Sequence, residues 1–199
     1  MLPALFVPLL DDNKQFQAVS IRGGTLAQDL TLKPLGTVST TGMYFLFTET
    51  FTVAAGATLT ATPSAVLVMD PGTDGQPRQL VVNGTLVLDR SQSLTFVRRN
   101  FSATSLVVNG TLRTTGTTIG QSVVHPNSSL SLQVNTGGRL IATDTVFTMP
   151  TVALANDSVL NAGDLVGNTF NTYVFTGYPP CAEQRQGVML NGPEVSLVS

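Results

Sequence analysis

Apolar residues along this chain fall in short alternating runs divided by polar turns. Leu80-Val81-Val82 and Leu86-Val87-Leu88 flank an Asn-Gly pair, and further apolar runs fall at residues 94–97, 119–124, 146–149 and 170–175. Period-two alternation rich in Val, Thr and Phe predicts strands. No segment carries apolar residues at the 3.6-residue spacing of an amphipathic helix.

The pattern repeats. Asn83, Asn109, Asn135 and Asn161 are evenly spaced (109 − 83 = 135 − 109 = 161 − 135 = 26). The first two sit in an identical heptad, Leu80-Val81-Val82-Asn83-Gly84-Thr85-Leu86 and Leu106-Val107-Val108-Asn109-Gly110-Thr111-Leu112. Val82, Val108, Val134 and Leu160 precede the Asn; Leu86, Leu112, Leu140 and Leu165 follow it, the last two after a short insertion. Units 80–105, 106–131, 132–157 and 158–183 result. The segment 53–59 reads as a degenerate copy, and 21–26 as a further, irregularly spaced one.

A repeat of this length means one supersecondary unit stacked on copies of itself. Asn-Gly between two strands also suits a two-residue hairpin. A meander of hairpins, however, has no need of an Asn at constant spacing, whereas stacked coils do. Three short strands per coil, each at ~3.3 Å per residue, describe a parallel β-helix. The Asn residues are expected at one corner with φ > 0, bonded to one another up the stack. Val82, Val108, Val134 and Leu160 are expected to point inward. The resulting division is an N-terminal cap or irregular first coils over 1–50, the β-helix over 51–178, and a C-terminal tail or start of a further coil over 179–199.

The Val-Asn-Gly-Thr-Leu copies, together with Gly167-Asn168-Thr169-Phe170, resemble the right-handed parallel β-helix superfamily, the pectate-lyase-like group that includes adhesin passengers. The resemblance covers roughly residues 51–178. It implies an all-β, single-stranded, right-handed solenoid with coils of about 26 residues. It says little of activity, because one fold hosts many functions.

Composition narrows the chemistry. Charged residues make up 11% of the 199 and hydrophobic ones 42%, which is too apolar for a disordered chain. The net charge of −2 gives no general attraction to nucleic acid. A single Cys, Cys181, excludes an intrachain disulfide framework. No apolar run is long enough for a spanning helix. Residues 1–10 are apolar but broken by Pro3 and Pro8 and lack a basic start; they read as a first strand or cap rather than a signal segment.

Lyases and hydrolases of the resembled superfamily use clustered carboxylates to hold Ca²⁺ or to act as acid and base. Asp70, Asp74, Asp89, Asp144, Asp157 and Asp164 share no 26-residue offset and read as solvated turn acids; Asp11-Asp12 lies at the edge. Phe170 stands where the superfamily's hydrolase pattern has an acid. His125 is the lone His, so no zinc set exists. No catalytic residue, metal ligand or cofactor is therefore assigned. Arg90, Arg98, Arg99 and Arg113 form the one basic cluster and are the candidate contacts for an acidic glycan; edge protection explains them equally well. Thr48, Thr50 and Thr52, and Thr58, Thr60 and Thr62, each line one side of a strand, as an ice-binding face requires, but the array breaks at Asp89 and Arg90. Five Asn-x-Ser/Thr sequons occur, at Asn83, Asn100, Asn109, Asn127 and Asn156; in a eukaryotic secreted protein Asn100 and Asn127 are the expected glycan acceptors, since Asn83 and Asn109 are occupied in the ladder.

The expectation is a non-catalytic scaffold or adhesive segment of an extracellular or cell-surface protein, with a glycan or host-surface ligand as partner. The alternatives are a β-helix polysaccharide lyase or glycoside hydrolase, and an ice- or glycan-binding face.

Overall fold

A short strand with one apolar face must bury that face against other strands. This chain does so by winding. The structure is a computed structural model that describes residues 1–10, 14–36, 42–70, 76–90, 93–97, 103–121, 129–149, 151–155, 161, 163–171 and 189–190. Its strands come in threes. The first turn holds β1 (Ala18–Ile21), β2 (Gly24–Leu26) and β3 (Leu30–Leu32); the second holds β4 (Tyr44–Phe47), β5 (Phe51–Val53) and β6 (Thr58–Ala61). The third holds β7 (Val66–Met69), β8 (Arg78–Val82) and β9 (Thr85–Asp89); the fourth holds β10 (Ser93–Phe96), β11 (Ala103–Val108) and β12 (Thr111–Thr115). The fifth holds β13 (Thr118–Gln121), β14 (Ser129–Val134) and β15 (Arg139–Thr143); the sixth holds β16 (Val146–Thr148), β17 (Thr151–Leu154) and β18 (Leu165–Val166). β19 (Thr169–Phe170) and β20 (Met189–Leu190) follow.

Every third strand is a parallel, hydrogen-bonded neighbour. The first strands of the turns form one seven-stranded sheet, the second strands another, and the third strands a six-stranded sheet. The protein is a parallel β-solenoid. Like residues stack over like: Leu80, Leu106 and Leu132 are in register, as are Val82, Val108 and Val134 in the second sheet and Leu86, Leu112 and Leu140 in the third. All nine are buried. Leu67, Leu94, Ile119 and Phe147 complete the core from the first sheet. Fully burying each such side chain contributes about 1.5–3 kcal/mol.

The step between turns is not constant. It is 26 residues from β8 to β11 and from β11 to β14 (106 − 80 = 132 − 106 = 26), then 20 from β14 to β17, where Leu132 pairs with Val152 (152 − 132 = 20). The connection between the first and second sheets sets the difference. It runs over residues 97–102 and 122–128 in the fourth and fifth turns, but only 149–150 in the sixth.

The shortened step corrects the upper end of the repeat. Leu154, not Leu160, follows Val134 in the inward column, and Leu160 lies outside the described residues. Leu165 pairs with Ala142 rather than Leu140. At the lower end, 53–59 does match 82–86, since Val53 pairs with Val82 and Leu59 with Leu86. The segment 21–26 does not: Leu26 pairs with Val53, so this stretch forms the preceding corner and β2. Strands in register with the later ones begin at Ala18. Before them, a 3-10 helix at Ala4–Leu10 lies against β3 and buries Ala4 and Val7 over the end of the core.

Glycines serve the corners in two ways. Gly110 follows Asn109 where the second sheet bends into the third, and a Cβ there would overlap the carbonyl oxygens of Gly84 and Asn83 in the turn below. Close backbone approach, not a special φ, demands glycine. Gly116 stands where the third sheet bends into the first, with φ 55° and only Arg90 Cγ, 3.6 Å away, beside an added Cβ. Its neighbours in that column, Arg90 (φ 47°) and Asp144 (φ 50°), are left-handed without being glycine. Gly110→Ala is therefore expected to cost about 2–3 kcal/mol through overpacking, and Gly116→Ala about 1 kcal/mol through strain. Urea unfolding of the two variants measures the difference, and equal costs contradict it.

Candidate functional site

Among the described residues, two of the three corners carry stacked columns that recur from turn to turn. At the corner between the second and third sheets, the backbone N–H groups of Asn83, Asn109 and Asn135 donate to the carbonyls of Val53, Val82 and Val108 in the turn below. This fixes the Asn side chains one above another at the surface. Asn109 Nδ2 donates to Asn83 Oδ1 and Asn135 Nδ2 to Asn109 Oδ1, both at 2.7 Å. None of the three has a positive φ, which corrects the expected strain. The adjoining glycines instead let the turns close up.

Asn161 is not a fourth rung. Ala155 N donates to Val134 O, so Ala155 occupies that position above Asn135, as Ala54 does below Asn83. The cause is the 20-residue step. Asn161 lies six residues further along (161 − 155 = 6), where its backbone N–H donates to Asp164 Oδ2 at 2.8 Å.

Asp164 is the charged residue that sequence reasoning misplaced. It is buried, at 6% exposure, rather than solvated. Arg139 grips it with two bonds, Nη2 to Oδ1 at 2.8 Å and Nε to Oδ2 at 3.2 Å. The Arg139 hydrogen bonds hold the Asp164 carboxyl below the usual Asp range; burial opposes this, and the Asn161 N–H reinforces it. The same bond raises the Arg139 guanidinium. The cluster ties β15 to the start of β18. Its only sequence signal is a 25-residue spacing (164 − 139 = 25), one short of the ladder.

At the corner between the third and first sheets, Arg90, Gly116, Asp144 and Gly167 stack in the left-handed region, with φ between 47° and 65°. Beside them, Asn168 closes the upper turn. Its Oδ1 accepts from Thr145 N at 2.9 Å, and its Nδ2 donates to Ala142 O at 2.8 Å. Thr145 Oγ1 lies 3.2 Å from Thr114 Oγ1, and Phe170 stacks on Phe147 at 4.8 Å between centroids. The Gly167–Phe170 motif thus serves structure.

The candidate glycan contacts are not all brought together. Arg113 projects from the middle of β12, exposed, between Val87 below and Ile141 above. Arg90 sits at the corner. Arg98 and Arg99 lie outside the described residues, as do His125, Cys181, Asp11, Asp12, Asp74, Asp157, Asn100, Asn127 and Asn156. Arg113 and Arg139 are 26 apart in sequence, but the insertion at Thr136-Gly137 puts Arg139 beside Thr111. Among the described residues no group of three His, Cys, Asp or Glu side chains could hold a metal ion.

The outer faces differ in character. On the second sheet the outward columns are Thr25, Thr52, Val81, Val107, Gln133 and Ala153, and Gln79, Ser105, Ser131 and Thr151. No charge interrupts them. Gln79 Nε2 donates to Ser105 Oγ at 3.1 Å and Gln133 Nε2 to Ser131 Oγ at 3.2 Å. On the third sheet, Thr58, Thr85 and Thr111 form one column that ends at Arg139.

The ladder and the Asp164 cluster differ in how a variant should behave. Asn109→Leu loses two ladder bonds and costs about 1–3 kcal/mol, whereas Asn161→Leu, whose described bonds are made by backbone, stays within ~0.5 kcal/mol. Comparable losses at both sites in chemical denaturation contradict the ladder assignment. For Asp164 the folded pKa is depressed, so its contribution is complete above the unfolded Asp value of ~3.9 and is lost as pH falls through the folded value. The melting-temperature gap between wild type and Asp164→Asn is expected to be wide near neutrality and to close in strong acid; a gap independent of pH contradicts it. Compared with protein-family models, curated proteins and solved structures, the chain matches none of them.

Proposed function

We propose that the chain is a non-catalytic β-solenoid scaffold of a secreted or surface-displayed protein, with the outer face of the second sheet as its adhesive surface. One observation carries this reading. The second sheet holds one outward column in register from β2 to β17 and a second from β8 to β17, and those columns present hydroxyl, amide and small aliphatic groups without a charge. Parallel strands set these groups at ~4.8 Å intervals along the axis. Such a periodic neutral surface suits a repeating, uncharged partner such as a neutral glycan chain. The ladder and the Asp164 cluster support the scaffold half of the reading, because both spend their polar groups joining one turn to the next. Among the described residues no helix is long and apolar enough to cross a membrane. The finer likeness to the pectate-lyase-like superfamily rests on the Val-Asn-Gly-Thr-Leu and Gly-Asn-Thr-Phe copies alone.

A glycan array run beside reducing-sugar release assays tests the proposal. The expected result is binding to neutral glycans without product release. Val107→Glu, placed mid-face, is expected to weaken that binding at least tenfold, and Arg113→Gln to change it less than twofold. Release of sugar from any polysaccharide would overturn the scaffold reading in favour of a lyase or hydrolase. Loss of binding with Arg113→Gln alone would move the adhesive surface to the basic residues of the third sheet.

A further inference from the structure

A solenoid that ends leaves three sheet edges with unpaired backbone groups, each a template for another strand. At the N-terminal end two of the three are covered. Leu2 forms a parallel bridge with Ile21 at the edge of β1: Leu2 N donates to Ser20 O and Arg22 N to Leu2 O, both at 2.8 Å. The 3-10 helix Ala4–Leu10 packs against β3. Among the described residues nothing pairs with the outer edge of β2.

Hydrogen-bond parity identifies what that edge offers. Gly24 N donates to Thr50 O at 3.1 Å, and Leu26 O accepts from Ala54 N at 2.9 Å. In a parallel ladder alternate residues bond to the same neighbour, so Gly24 and Leu26 face β5 and Thr25 faces away from it. The Thr25 N–H and C=O have no partner among the described residues. Beside them lies a groove of about 300 Å³, lined by Pro3, Leu5, residues 22–26 and Phe51. The space next to Gly24 is open, since a Cβ there meets nothing within 4 Å. At the rim Arg22 is exposed and pairs with no carboxylate among the described residues; the nearby Glu49 carboxylate accepts from Gly23 N at 2.8 Å.

We propose that this groove takes an extended peptide, which adds as a strand to β2. One backbone C=O and N–H of the peptide would bond to Thr25. An apolar side chain would enter between Leu5 and Phe51, and an acidic side chain or terminal carboxylate would meet Arg22. Strand addition draws affinity from main-chain bonds and selectivity from the pockets beside them, and the groove supplies both. A peptide is the occupant that fits, because the Thr25 N–H and C=O match the main chain of an added strand and the one charged residue lining the groove, Arg22, is a cation. This inference does not depend on the glycan-binding reading, which concerns a different surface.

The test is selection of a random decapeptide phage library on the immobilised full chain, with counter-selection on Thr25→Pro. Proline removes the free N–H and is tolerated on edge strands, and circular dichroism checks that the variant keeps its strands. The expected peptides are rich in β-branched residues, carry an acidic residue, and are lost on Thr25→Pro. Binding of a selected synthetic peptide should slow hydrogen exchange of the Thr25 amide in the wild-type protein, a readout that needs no variant. Arg22→Gln should weaken it about twofold to fivefold. Failure to enrich peptides, or enriched peptides that leave Thr25 exchange unchanged, overturns the proposal. So does concentration-dependent self-association of wild type that Thr25→Pro abolishes, because the occupant of the edge is then a second copy of the chain.

Discussion

The backbone hydrogen bond from one turn to the next is the constraint on which everything else depends. It requires each residue to lie over its counterpart at strand spacing. Once Asn109 N donates to Val82 O, the Asn109 side chain has little choice but to sit above that of Asn83. Once Leu112 is paired with Leu86, the core is filled by a column rather than by a cluster. Inward positions must therefore be apolar in every turn. Outward positions become periodic surfaces whose chemistry is set by whichever residues each strand supplies.

The three corners accept different departures from this rule. Between the second and third sheets the turns approach so closely that Gly110 cannot be replaced without overlap. Between the third and first sheets, a single left-handed residue makes the bend, and Arg90 and Asp144 adopt it at the cost in strain that Gly116 avoids. Between the first and second sheets the connection runs over residues 149–150 in one turn and residues 70–77 in another. Between the second and third sheets the length varies as well, from residues 83–84 to residues 155–164, and the Asn column spans only the turns where it is short.

That distribution explains what was legible in the sequence. The repeat from 80 to 134 could be read because the second-to-third corner keeps both length and residue type, Asn followed by Gly. The strand triplets and the inward Val and Leu positions followed from it. Asn161 misled because the connection at 149–150 is short: it continued the arithmetic while the chain had already shifted by six residues. The same shift hid the pairing of Arg139 with Asp164, and made a buried, bonded carboxylate look like a turn acid. The left-handed column was missed because Arg90, Gly116, Asp144 and Gly167 share no residue type that would mark it as a repeat, and Arg90 is not a residue that announces such a backbone. The free edge of β2 has no repeat signal at all, since it depends on how Leu2 and the 3-10 helix cover the other two edges.

The most direct measurement is of register across the turn where sequence periodicity and stacking disagree. Gln133 faces outward in β14 and pairs with Ala153 in β17, whereas an unbroken 26-residue repeat puts Gln133 beside Val159 (133 + 26 = 159). With Cys181 replaced by Ser, cysteine pairs at 133/153 and 133/159 can be treated with a short bifunctional thiol reagent and scored by mass spectrometry. Stacking over a 20-residue step predicts an efficient crosslink for 133/153 and little for 133/159. The reverse outcome would contradict the register, and with it the placement of Ala155 above Asn135 and of Asp164 beside Arg139.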